Sequence, residues 1–124
     1  MPEGDTVWLA ARTLHDALAG DELMATDVRV PRWATLDLAG HRVIDVVPRG
    51  KHILIRVDSG HTIHTHFKMD GSWHLYRPGA RWTGGPAHDI RMILRTDAWE
   101  AVGYRLHLIE VLPTAHEDCV IGHL

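Results

Sequence analysis

Apolar residues recur along the first twenty positions at the spacing of one helix face: Val7, Ala11, Leu14 and Leu18, with Gly20 behind them as a stop. The pattern predicts one helix from about Asp5 to Ala19. Beyond it the period shortens. The runs "LMATDVRV", "RVIDVVP", "KHILIRV", "TIHTHF", "SWHLYR", "RMILRT" and "AWEAVGY" read as strands, parted by "PRG", "DSG", "DGS" and "RPGARWTGG". Short strands at this spacing predict an antiparallel sandwich or barrel. "LDLAG" adds a helical turn before the second strand. Near the end, "TAHE" has the form of a capping box, in which Thr114 and Glu117 open a short helix through "DCVIGHL". The expected fold is therefore mainly β: an antiparallel two-sheet β-sandwich flanked by an N-terminal α-helix and a short C-terminal helix. The loop from Arg77 to Asp89 is expected to be mobile, and since strands continue on both sides it marks no domain boundary.

Size and composition narrow the class. A chain of 124 residues suits one domain that buries roughly two thirds of its unfolded surface. It is 45% apolar, yet no run approaches the roughly 20 residues of a membrane span, and the start lacks the pattern of a secretory leader. These features predict a soluble, cytoplasmic protein. Cys119 stands alone, which excludes an intrachain disulfide and a thiolate-rich zinc site. A net charge of −3 weighs against a free-standing nucleic-acid binder, because phosphate neutralisation supplies most of such affinity.

Four stretches carry candidate chemistry. Removal of the initiator methionine makes Pro2 the N-terminus, with a secondary amine that titrates near pH 8 or, at the positive end of a helix, lower. Such an amine attacks an aldehyde-like carbon to form an iminium, as Schiff-base lysines do, and Glu3 beside it can donate or relay protons. Retention of Met1 would turn the same nitrogen into a tertiary amide and end that chemistry. The plainer reading is that Pro and an acid simply suit a helix start. In "VVPRGKHILIRV", a tight turn over Pro48 to Gly50 puts Lys51 at the head of a strand in register with Ile53, Ile55 and Val57. There it either snorkels to water or overhangs a pocket, with Arg49 adding positive potential suited to phosphate. In "HTHFKMDGSW", Asp70 and Gly71 signal a hairpin that would bring Lys68 and Met69 to its tip, where an exposed apolar side chain resembles the wedge of DNA-deforming proteins. His61, His64 and His66 raise a zinc reading, with His74 opposite across that hairpin and Asp70 nearby. Strands commonly set histidines side by side without a metal, so none is assigned.

Taken together, "PEGD" leading into a helix, "RGKHILIRV" some fifty residues on and "HTHFKMDGSW" after it resemble the N-terminal domain of the formamidopyrimidine-DNA glycosylase and endonuclease VIII family. "PEGDTVW" and "VGYRLHLIEVLPT" look most like its actinobacterial endonuclease VIII branch. The resemblance implies base-excision repair of damaged DNA. Pro2 would match the nucleophile that attacks the sugar C1′ of a flipped-out nucleotide, and Glu3 the general acid. Lys51 would match the lysine at the flanking phosphates, Met69 the void-filling wedge and Lys68 its DNA-contacting neighbour. β- and then δ-elimination would follow with no cofactor. The "DPRRFG" loop of the formamidopyrimidine branch is absent, and Arg105 in "GYRLHL" falls nearby as a further DNA-contact candidate. The family's helix–two-turns–helix element and zinc finger would lie beyond Leu124, so the chain reads as a truncated catalytic-type domain, with weak or no activity alone, whose DNA grip is supplied by another part or a partner. Two alternatives stand beside this one. A non-catalytic DNA- or protein-binding module could use the same fold, and an N-terminal-proline tautomerase would use the amine as a base. Those tautomerase chains are expected to start directly on a strand, whereas Pro2 precedes a helix.

Overall fold

A computed structural model describes residues 3–66, 71–106 and 108–117. Helix α1, Glu3–Leu18, opens the chain. Its apolar stripe is buried as the spacing requires, with Val7, Ala11, Leu14 and Leu18 between 0% and 2% exposed. Gly20, at φ +85°, turns the chain out of the helix, and its N–H donates to the Val43 carbonyl at 2.7 Å. That conformation is costly for any residue with a Cβ.

Eight strands follow: β1 Ala25–Val28, β2 Val43–Arg49, β3 His52–Val57, β4 His61–His66, β5 Ser72–Tyr76, β6 Ile90–Arg95, β7 Glu100–Tyr104 and β8 Leu108–Pro113. They form two four-stranded antiparallel sheets, ordered β1-β6-β7-β5 and β2-β3-β4-β8. The main core lies between the sheets and under α1. Ile53, Ile55, Val57 and Ile63 of one sheet meet Met92, Leu94 and Ala101 of the other, together with Leu14 and Leu18 of the helix. Among the described residues, no helix is long and apolar enough to cross a membrane.

The expected two-sheet sandwich is present, with local corrections. β8 was not read as a strand. "LDLAG" holds no helix: the 3-10 turn lies earlier, at Pro31–Trp33, and Asp37 closes its own turn by accepting the Ala39 N–H at 3.0 Å. The Asp70-Gly71 signal does not mark a hairpin, because β4 pairs with β3 and β8 while β5 pairs with β7 in the other sheet. The connection crosses between sheets, so His74 cannot sit opposite His64 and His66. The capping box also fails. Pro113, not Thr114, precedes the 3-10 turn Thr114–His116, and no side chain caps it. Glu117 turns inward instead and takes the Arg56 guanidinium at 2.9 and 3.0 Å. The helix expected after it falls outside the described residues. The 77–89 loop is tied down: the Tyr76 hydroxyl accepts the N–H groups of Thr83 and Gly84 at 3.2 and 2.8 Å, and Trp82 stacks on Tyr76.

Candidate nucleic-acid interface

The site is built at one end of the sandwich. Arg49 pairs with His52 across a two-residue turn, Gly50-Lys51, in which Gly50 takes φ +61°. Positive φ at the first central residue is the geometry of a type II′ hairpin, and glycine adopts it without strain. The turn is thus one residue later than "PRG" implied. Pro48 lies within β2, opposite Ile53, tolerated because β2 is an edge strand. Lys51 is exposed in the turn itself rather than on the strand.

Helix α1 lies along β2 with its start toward this turn. The His15 Nδ1 accepts the Val46 N–H at 3.1 Å. Two turns nearer the helix start, Trp8 shares a groove of about 430 Å³ with Pro48. On the other flank of α1, Leu9 and Ala10 share an apolar groove of about 300 Å³ with Gly71, Ser72 and Trp73. The start of α1, the Gly50-Lys51 turn and the residue that follows positions 67–70 therefore meet at the same end of the molecule. Pro2, Lys68 and Met69 lie outside the described residues, and of Glu3 only the backbone, as the first residue of α1, is described.

The outer face of the second sheet adds groups at this end that were not singled out from sequence as a cluster. Arg49, His52 and His66 are successive cross-strand neighbours on β2, β3 and β4. The His52 and His66 rings stack with centroids 4.2 Å apart and planes 14° apart. Behind them His64, only 5% exposed, brings its Nε2 to 2.6 Å from the His52 Nδ1. Burial, and then the neighbouring imidazole, lowers the pKa of His52. Burial is also the main cause for His64, opposed by the Glu110 carboxylate and reinforced by His66. The signal available in sequence was that His52, His64 and His66 share one parity on two paired strands, and it needed the hairpin register to be seen. His61 has the opposite parity and bonds to Ser59 Oγ at 3.1 Å. Among the described residues no group of three or more His, Cys, Asp or Glu is arranged to hold a metal ion.

Arg105 sits apart from this row. It leaves β7 with φ +52°, a conformation uncommon for a residue with a side chain. Its N–H donates to the Asp89 carbonyl at 2.7 Å and its guanidinium to the Asp89 carboxylate, also at 2.7 Å.

This architecture is shared with a bacterial DNA glycosylase: it superposes on the Lactococcus lactis formamidopyrimidine-DNA glycosylase bound to DNA containing an abasic site, with a TM-score of 0.75 at 15% identity over 95% of this chain and 46% of that one. The sequence identifies the family. Residues 1–108 match the model of the formamidopyrimidine-DNA glycosylase N-terminal domain, and the chain belongs to that family. It is 61% identical over 124 residues to a probable endonuclease 8 2 of Streptomyces coelicolor, covering 45% of that protein. It is 43% identical over 124 residues to the DNA-(apurinic or apyrimidinic site) lyase Nei2 of Mycolicibacterium smegmatis, covering 47% of it. The chain thus spans about half the length of the curated relatives it matches.

Proposed function

We propose that this chain carries the catalytic half of a bacterial base-excision repair enzyme, a DNA glycosylase that is also an abasic-site lyase. The observation that supports this best is the convergence at one end of the α1 start, the Gly50-Lys51 turn and the border of the 67–70 segment. A nucleophile just ahead of α1, a phosphate-binding lysine and a wedge would need to share one cleft, and these three elements share one end.

In this reading the Pro2 secondary amine, exposed by loss of Met1, attacks C1′ of an extruded nucleotide. The C1′–N bond breaks as the base leaves with a proton relayed by Glu3. The amine nitrogen gives up its proton, the C1′–O4′ bond opens with a proton from Glu3 going to O4′, and the nitrogen lone pair forms an iminium with C1′, which acidifies the C2′ protons. Loss of one C2′ proton expels the 3′ phosphate, and a second elimination expels the 5′ phosphate. Hydrolysis of the imine frees Pro2. Lys51, with Arg49, holds the phosphates beside the lesion, while Met69 fills the vacated stack and Lys68 contacts DNA next to it. Arg105, at the end of β7, is a further DNA-contact candidate. The half of the relatives' length that this chain does not span supplies most of the grip on DNA, in keeping with a net charge of −3 here. The substrate is cytoplasmic chromosomal DNA carrying an oxidised base or abasic site.

Borohydride reduction in the presence of abasic duplex tests this chemistry. A covalent protein–DNA adduct should form, weakly with the trimmed chain alone and strongly when the rest of the relatives' length is joined to it, and fall by at least about 100-fold in Pro2→Gly or when Met1 is retained, as expected for loss of a covalent nucleophile. An adduct undiminished in both would remove Pro2 from the mechanism.

A further inference from the structure

The His52–His64 contact has a direction that the burial of His64 fixes. One proton lies between His52 Nδ1 and His64 Nε2, 2.6 Å apart. If His52 donates it, the neutral His64 must carry its own proton on Nδ1, an atom that is buried and has no hydrogen-bond partner among the described residues. A buried N–H without an acceptor is the rarer and costlier orphan. If His64 donates it, Nδ1 is only a bare lone pair, and His52 must then carry its proton on Nε2. A further, charging proton on the pair is opposed by burial, by the repulsion between the two rings and by His66 beside His64, and is favoured, among the described residues, by Glu110 across from His64 on β8. The pair is therefore neutral, with an N–H on the far side of His52.

We propose that His52 Nε2–H is a phosphate-oxygen donor on the outer face of the second sheet, and that buried His64 is the positioning residue that holds His52 in this tautomer. The row Arg49, His52, His66 spans three adjacent strands beside Lys51, so the donor extends the anion-binding surface from the turn onto the sheet. Stacking on His66 fixes the ring plane, and the hydrogen bond to His64 fixes the tautomer. A donor pre-set in this way loses little freedom when an oxygen arrives. The occupant follows from the chemistry: beside the cations Arg49 and Lys51 at this end of the row, with Glu110 set farther off against His64, an N–H donor fits an anionic oxygen. The identification of that oxygen with a DNA phosphate rests on the function proposed above.

Long-range ¹H–¹⁵N correlation on the histidine-labelled 124-residue chain reads the tautomers directly. Both His52 and His64 should be protonated at Nε2 and bare at Nδ1. His52 protonated at Nδ1 would overturn the proposal even if His64→Phe failed to fold; if it folds, His52 should relax to a tautomer mixture. Addition of abasic-analogue duplex should shift the His52 Nε2–H resonance. His52→Phe should weaken binding about 3–10-fold, the worth of one neutral hydrogen bond, and His52→Gln should restore part of it. Because a neutral donor releases no counterion, the salt slope should not change in His52→Phe, whereas Lys51→Ala should lower it by about one. Duplex binding that leaves His52 unmoved sinks the donor and spares the repair reading. A His52 shift with inorganic phosphate supports the donor even where duplex fails to bind, because the grip on DNA is assigned to the half of the relatives' length that this chain does not span. No shift with either ends the proposal.

Discussion

The two sheets share a core but turn chemically different outer faces away from it. On the first, Ile90, Ile93, Val102 and Tyr104 form a second apolar cluster, roofed by Tyr76 and by Trp82 from the 77–89 loop. On the second, a small apolar patch of Val47, Leu54 and Leu112 divides the histidine row from an ionic network of Arg56, Asp45, Glu117 and Thr62. Strand alternation is the same in both sheets. What differs is what lies over it: aromatic rings and a loop in one case, ionisable side chains in the other. A face closed by its own loop has only stability to gain, whereas a face of imidazoles and guanidinium groups can respond to anions and protons.

The largest test of this contrast is to remove the anchor of the ionic face. Glu117, 6% exposed, accepts from the Nε and Nη2 of Arg56 and from the Thr62 hydroxyl. Glu117→Leu would leave a half-buried guanidinium with only Asp45, at 3.3 Å. The expected cost is about 2–4 kcal/mol, since breaking a buried pair from one side strands the remaining charge, and it should appear as a fall in Tm on the order of 10 °C. Adding Arg56→Met should recover part of the loss, because the stranded charge goes too. A single variant that melts with the wild type would show that the network is decorative.

Protons should separate the two faces next. The Arg56 hydrogen bond, against the cost of burial, lowers the Glu117 pKa below 4.5. The folded state then binds fewer protons than the unfolded one, so stability present above pH 4.5 is lost as pH falls through the lowered value. His52 and His64, also lowered, start the same loss below 6.5. Tyr104 on the other face behaves oppositely: burial first, then its contact with Tyr76, raises it from 10.0 to about 12. Its folded form keeps the proton longer, so stability present below pH 10.0 is lost toward about 12, by roughly 2 kcal/mol. His74 adds one acid-sensitive group to the aromatic face, so the separation is expected to be cleaner in alkali than in acid. Equilibrium urea unfolding across pH, with Glu117→Leu and Tyr104→Phe as references, checks both limbs; Tyr104→Phe should abolish the alkaline one.

These residues also show which parts of the structure sequence can reveal. Helix α1 was legible because one face is buried and the other wet, which is what a 3.6-residue period records. β8 was missed because Ile109 and Val111 face the main core while Leu108 and Leu112 lie on the other side; a strand covered on both faces loses its alternation. Asp70-Gly71 looked like a hairpin because the local signal says where a chain turns, not which strand it joins next. Thr114 and Glu117 have capping-box spacing, but Arg56, 61 residues away, offers a charge-assisted partner that a local backbone N–H cannot match. In the candidate site, Lys51 was legible from the turn grammar. His52 was not, since its meaning depends on His64 and His66 across a hairpin whose register must first be known.

The smallest effect concerns how the aromatic face holds its loop. Tyr76 Oη accepts N–H groups from Gly84 and Thr83 at 2.8 and 3.2 Å and shares a hydrogen bond with the Tyr104 hydroxyl, 3.2 Å away. Tyr76→Phe keeps the ring stacked on Trp82 while removing the shared acceptor. The global cost should be only about 1 kcal/mol, as for one or two neutral hydrogen bonds at a partly wet site. The local effect should be larger in proportion, because the Thr83 and Gly84 amides would lose the acceptor that protects them. Hydrogen exchange at those two amides should accelerate by about 5–10-fold, while core amides of β6 and β7 slow or hasten only with global stability. Equal acceleration everywhere would mean that the loop and the sheet open as one unit, and that the roof over this face is part of the fold rather than a cover laid on it.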